Sequence, residues 1–225
     1  MFRVARLIAV KDLRIELRSR VVTNQVLPFA GIVMVMFAFA LNTDLIVERV
    51  APGLVWLATL FSLLILVQRA FAIETADGAT DAMRAAGVDP AGIFLGKTLA
   101  LAAQLAVLEA LLLVIAVVLY SAKVRPGSIV LLLATFVAAT VGLALVGTLY
   151  GGLAAGVRGR ETLLPLLLLP VVAPVLIGAT RATEAALGTA GAVVTDGWPW
   201  LGLLAVFAAL FGVGGTLAFG PLIEE

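Results

Sequence analysis

Cysteine and histidine are both missing from the 225 residues, and only 13% of the chain is charged. Without thiols there are no disulfides, no thioether attachments and no thiol redox chemistry. Without imidazoles the commonest acid–base catalyst and the usual zinc-ligand sets go too. No G-x-x-x-x-G-K-[ST] loop occurs, so any ATP-driven work has to be powered by another polypeptide. A net charge of +1 gives no footprint for nucleic acid. The shortage of charge is itself a statement about solvent, because soluble chains carry roughly 25% charged residues.

What is present resembles hydrocarbon: 63% of the residues are apolar, and the mean hydropathy is +1.18. A bilayer-spanning helix takes about 20 apolar residues. Six such runs lie near 21–41, 52–72, 93–120, 128–156, 163–179 and 198–221. The expectation is a single all-α transmembrane domain over 1–225, with an amphipathic interfacial helix at 1–20 and a short cytoplasmic helix at 71–87. A cleaved secretory signal is the rival for the first run, since Ala38-Phe39-Ala40 has the small-x-small form of a cleavage site. The long helical segment before it speaks for a retained span.

With six spans both termini share a side, and lysine and arginine decide which. On that side fall Arg3, Arg6, Lys11, Arg14, Arg18, Arg20, Arg69, Arg84, Lys97, Arg158 and Arg160; the other holds only Arg49, Lys123, Arg125 and Arg181. Both ends are therefore expected in the cytoplasm.

Several segments break the apolar pattern. Before the first span, Lys11, Arg14 and Arg18 share one helical stripe and Val10, Leu13 and Leu17 another, with Glu16 four residues before Arg20. Such a helix lies in the headgroup layer as a topology anchor, or forms an elbow or a docking surface. After the second span Glu74, Asp77, Asp81 and Arg84 recur at helical spacing opposite Phe71, Ala79, Ala82, Met83 and Ala86, and Gly87 before Asp89-Pro90 ends the pattern. This helix is either a solvated connector or a peg for a soluble protein. Glu109 lies in mid-span and needs a partner or a proton, Arg69 being a candidate partner, while Gln104 reads as an interhelical hydrogen-bonder. Gly147, Gly151, Gly152 and Gly156 allow close helix approach. Pro165, Pro170 and Pro174 weaken the fifth span, which either bends to fit or supplies a soft point for motion.

Three stretches resemble the type-2 ABC-transporter permeases, and within them the haem exporter protein B (CcmB) family of cytochrome c maturation. They are Lys11-Asp-Leu-Arg-Ile-Glu-Leu-Arg-Ser-Arg20 ahead of Phe37-Ala-Phe-Ala-Leu41, then Arg69-Ala-Phe71-x-x-Glu74-x-x-x-Gly78-x-x-Asp81 through Gly96-Lys97, and Arg160-Glu-Thr-Leu-Leu-Pro165 through Pro170 and Pro174. The proline-rich stretch is the most specific, whereas the Glu/Gly/Asp pattern is shared widely by type-2 permeases. The chain departs from the family pattern at Thr80, Arg84, Ala85 and Ala86.

The resemblance implies a non-catalytic permease in a bacterial inner membrane, working with a cytoplasmic ATPase (CcmA), the membrane subunits CcmC and CcmD and the periplasmic haem chaperone CcmE. It makes 71–87 the coupling helix, carried by Glu74, Asp77, Gly78, Asp81, Met83 and Arg84, with Arg158, Arg160 and Glu161 as support. Haem is then cargo and ATP belongs to the partner, so this chain holds no cofactor or metal of its own. The absence of histidine favours transmission of motion over haem ligation, Tyr120, Tyr150 or a methionine being the remaining candidate ligands. Two other readings stand beside it: a type-2 permease for lipid, polysaccharide or drug, and an intramembrane enzyme using Glu109 with Asp44 or Asp196.

Overall fold

The computed structural model describes residues 1–41, 43–76, 78–120, 125–155 and 160–224, and at some of these, including Glu74, Asp81, Arg84, Arg160 and Glu161, the backbone alone. Among the described residues there are eight α-helices and no strand. These are α1 (Phe2–Ser19), α2 (Leu27–Ala40), α3 (Asp44–Ala76), α4 (Ala79–Ala85), α5 (Pro90–Leu119), α6 (Ile129–Ala155), α7 (Arg160–Leu187) and α8 (Gly197–Glu224). Six stretches are long and apolar enough to cross a bilayer: Val22–Ala40, Ile46–Ile73, Pro90–Leu119, Ile129–Ala155, Thr162–Leu187 and Val194–Leu222. The protein is an all-α integral membrane protein, as its hydropathy requires.

The packing centre is α6, which touches α3, α5, α7 and α8. Lipid tails are as apolar as leucine, so the helices are held by close packing rather than by hydrophobic exclusion. Glycines supply the closeness. A methyl group at Gly151 would lie 2.5 Å from the Phe71 ring, and one at Gly147 would lie 2.9 Å from the Val67 side chain, so side chains of α3 seat directly on the backbone of α6. Gly152 does the same for α8, where Phe219 takes the vacant space. Gly156 lies outside the described residues. On α7 the buried stripe Leu164, Leu168, Val172, Val175, Ala179, Ala182 and Ala186 repeats at helical spacing and faces the bundle. The outer helices α2 and α8 expose Ile32, Met36, Val206, Leu210 and Leu217, the surface that lipid covers.

Two spans run past the sequence expectation. The fifth was expected to stop near 179 but continues to Leu187. Its charged residues do not end it, because Arg181 pairs with Glu184 one turn on at 2.9 Å while Ala182, Ala185 and Ala186 bury the opposite face. Likewise α3 begins at Asp44 and carries Pro52 inside it.

Candidate coupling site at the basic end of the bundle

At a rise of 1.5 Å per residue, the 33 residues of α3 reach about 50 Å, against a hydrocarbon core of about 30 Å. The helix therefore projects from the bilayer, and its basic-end turns carry Phe71 and Glu74. Beyond Ala76 the chain turns through Gly78, whose φ of 62° is left-handed backbone that glycine adopts without strain. The seven residues of α4 follow. Gly87, at φ 64°, caps them, and the Val88 amide donates to the Met83 carbonyl at 3.0 Å, the closing bond of a Schellman turn. Asp89 then starts α5, its carboxylate accepting from the Ala91 amide at 3.1 Å, with Pro90 in the first turn.

The stretch expected to form one helix over 71–87 is thus two. Glu74 lies in the last turn of α3 and Asp81, Met83 and Arg84 belong to α4, because the left-handed residue at 78 interrupts the helical register. Asp77 and Arg158 lie outside the described residues. Met83 packs half-buried against the core while Gly78 is exposed, so α4 rests on the bundle through its methionine. Arg160 and Glu161 open α7.

Beneath α4 the helices are cross-linked. Phe71 is clamped against Gly151 of α6 on one side. The Lys97 ammonium of α5 lies 4.6 Å from its ring centroid, a cation–π contact. The same ammonium, buried at 4% exposure, reaches Asp12 of α1 at 3.6 Å, and Lys11 adds a 3.0 Å contact to Asp12. Gly92 and Gly96 let α1 lie directly on α5, since a methyl group at Gly96 would sit 2.6 Å from the Ala5 carbonyl oxygen and 2.7 Å from Ile8. Behind the ion pair is a cleft of about 50 Å³, whose lining includes Arg69, Gln104 and Thr148.

The amphipathic segment is therefore an elbow. Its buried face is Ala5, Ile8 and Ala9, with Asp12 beside them. Phe2, Val10 and Leu17 stay exposed along one flank, and Arg3, Arg14 and Arg18 along another. Glu16 does not turn to Arg20. Its carboxylate accepts from the Val22 amide at 2.6 Å and so holds the corner where Arg20 adopts φ 53° before a π-helical turn, Val22–Val26, leads into α2.

Deeper in the bundle Glu109 is 1% exposed. Its hydrogen-bond partner is the hydroxyl of Thr140, not Arg69, and its second oxygen has no partner among the described residues. Pro165, Pro170 and Pro174 all lie within an unbroken α7, with Pro170 and Pro174 on its exposed side. Tyr120 is engaged inside the bundle, donating to the Met34 carbonyl at 2.6 Å. The Asp12–Lys97 pair is what sequence reasoning missed: Lys97 entered there as a topology marker and as the end of a family-like stretch, never as a partner of Asp12, and the available signal was the Gly92-x-x-x-Gly96 spacing just before it.

These features define a class: a six-span helical membrane protein with an elbow helix clamped to its bundle and a small helix resting on its basic end. The family model described as "CcmB protein" matches residues 3–222, and the chain belongs to that family. It is 30% identical over 170 residues to "Heme exporter protein B" of Rhodobacter capsulatus, covering 74% of this chain and 76% of the relative. Similar relatives with the same name occur in Haemophilus influenzae, at 29% identity over 78% of this chain and 79% of the relative, and in Paracoccus denitrificans, at 28% over 81% and 83%. No solved structure matches the chain.

Proposed function

We propose that this chain is the permease subunit of an ATP-driven haem-export complex of cytochrome c maturation in a bacterial inner membrane. The observation that carries the reading is the CcmB family match over almost the whole length. The chain supplies no ATP hydrolysis; a cytoplasmic ATPase of the CcmA type grips α4, and CcmC, CcmD and the chaperone CcmE complete the assembly. Both termini face the cytoplasm, on the side where basic residues concentrate.

The geometry supports transmission as the mechanism. A push on α4 acts on the foot of α3, and Phe71 passes it to α5 through Lys97, to α6 through the Gly151 contact and to α1 through Asp12. Close-packed interfaces shift as units rather than deform, so a small displacement at the tip moves whole helices. Haem is cargo in this scheme. Reversing the charges, Glu74→Lys with Asp81→Lys, should abolish ATPase co-purification and cytochrome c assembly while the protein accumulates normally. Intact association and assembly in a well-expressed double variant would remove α4 as the coupling element; normal cytochrome c levels after deletion would point to another cargo.

A further inference from the structure

At the end of the bundle opposite α4 three elements meet around a polar pocket of about 340 Å³, lined by Glu48 and Arg49 of α3 and by Gly188, Thr189 and Ala190 after α7. Arg125, in the connector before α6, lays its guanidinium over Gly188, where any side chain would collide with it. Among the described residues neither Arg49 nor Arg125 has an ion pair, and Glu48 has none either. Thr189 is 4% exposed, and its hydroxyl is buried without a hydrogen-bond partner.

The frame around the pocket is fixed. The Ser128 hydroxyl meets the Ala186 carbonyl and lies 3.0 Å from the Arg125 carbonyl, tying the connector to the end of α7. One turn deeper the Trp56 indole donates to Thr183 at 3.0 Å, tying α3 to α7. Ala190 is held at φ 58°, a left-handed conformation that costs a non-glycine residue energy.

We infer that this pocket binds a carboxylate group of the exported cargo. Among the described residues two guanidiniums without an ion pair stand against one carboxylate, a net positive charge that matches one carboxylate, and guanidinium is the side chain whose fork fits that group. Haem carries two propionates, so the inference deepens the haem-export reading and rests on it. The lining has no side chain that commonly ligates iron, so what this site reads on haem is the acid and not the metal.

The test uses the full chain in phosphatidylcholine nanodiscs, with mesoporphyrin IX as probe and its dimethyl ester as control. Binding is read as energy transfer from Trp56, Trp198 and Trp200. The diacid should bind at least ten-fold more tightly than the diester, and Arg49→Gln with Arg125→Gln should erase that difference while leaving the melting temperature unchanged. Arg49→Lys with Arg125→Lys should restore part of it. Equal binding of acid and ester by the wild-type chain, or a preference that survives the double glutamine variant, overturns the inference. The side of the membrane is checked separately, since nanodiscs expose both faces. Gly127→Cys should react with an impermeant maleimide in spheroplasts; labelling only in inverted vesicles would defeat the export orientation while leaving the nanodisc result to judge the pocket.

Discussion

Phe71 carries the contacts at the foot of α3. Phe71→Ala opens the space against Gly151 and removes the surface on which the Lys97 ammonium rests. By analogy with other core truncations the cost is about 3–5 kcal/mol, and a thermal melt in nanodiscs should show it. Phe71→Leu keeps most of the volume and should cost less than half as much. Gly96→Val is a change of the opposite kind. With the Ala5 carbonyl 2.6 Å from the new Cβ, α1 has to lift from α5, and hydrogen exchange over residues 2–19 should rise at least ten-fold. For Glu109, Thr140→Val removes the partner of a buried carboxyl group. The expected loss is about 1–3 kcal/mol, whereas Glu109→Gln retains a group that bonds the same hydroxyl and should melt close to wild type. None of these partners was legible in the sequence. A mid-span glutamate announces that it needs company, but many buried hydroxyls compete for the part, and only the packing of α5 on α6 selects Thr140.

The helices themselves were largely readable, because a run of about 20 apolar residues has few alternatives in a bilayer. Their ends were less so. The helical spacing of Glu74, Asp77, Asp81 and Arg84 suggested one face of one helix, yet Gly78 breaks the register between Glu74 and Asp81; a left-handed glycine is invisible to a periodicity argument. Gly78→Val places a branched side chain in left-handed backbone, a strain of about 1–2 kcal/mol. Co-purified ATPase should fall several-fold while the melting temperature of the chain barely moves. In α7, Pro170 and Pro174 each remove one backbone hydrogen bond on the exposed side of the helix. Replacing both with alanine should slow turnover of the reconstituted complex without lowering its abundance, and unchanged turnover would count against α7 as a soft point for motion.

At the scale of the molecule, the two ends of the bundle are built differently. The basic end joins α1, α3, α5 and α6 through Asp12, Lys97, Phe71 and the glycines facing them, a linkage suited to carrying a push. The other end assembles a polar pocket from the start of α3, the segment after α7 and the connector before α6, and ties it down with Ser128 and Trp56. The charge spacing and the resemblance to the exporter family drew attention to the first end, though not to the Asp12–Lys97 contact within it. They could not locate the second, whose residues come from three separate stretches of the chain, near 48, 125 and 188, and meet only on folding. Everything in the scheme depends on α4 lying in the cytoplasm. The chain has no cysteine, so Ala85→Cys, at an exposed position on α4, and Thr43→Cys, exposed just before α3, give clean reporters for an impermeant maleimide. The account predicts that Ala85→Cys labels in inverted vesicles but not in spheroplasts, and Thr43→Cys the reverse; labelling of Ala85→Cys in intact spheroplasts would contradict it.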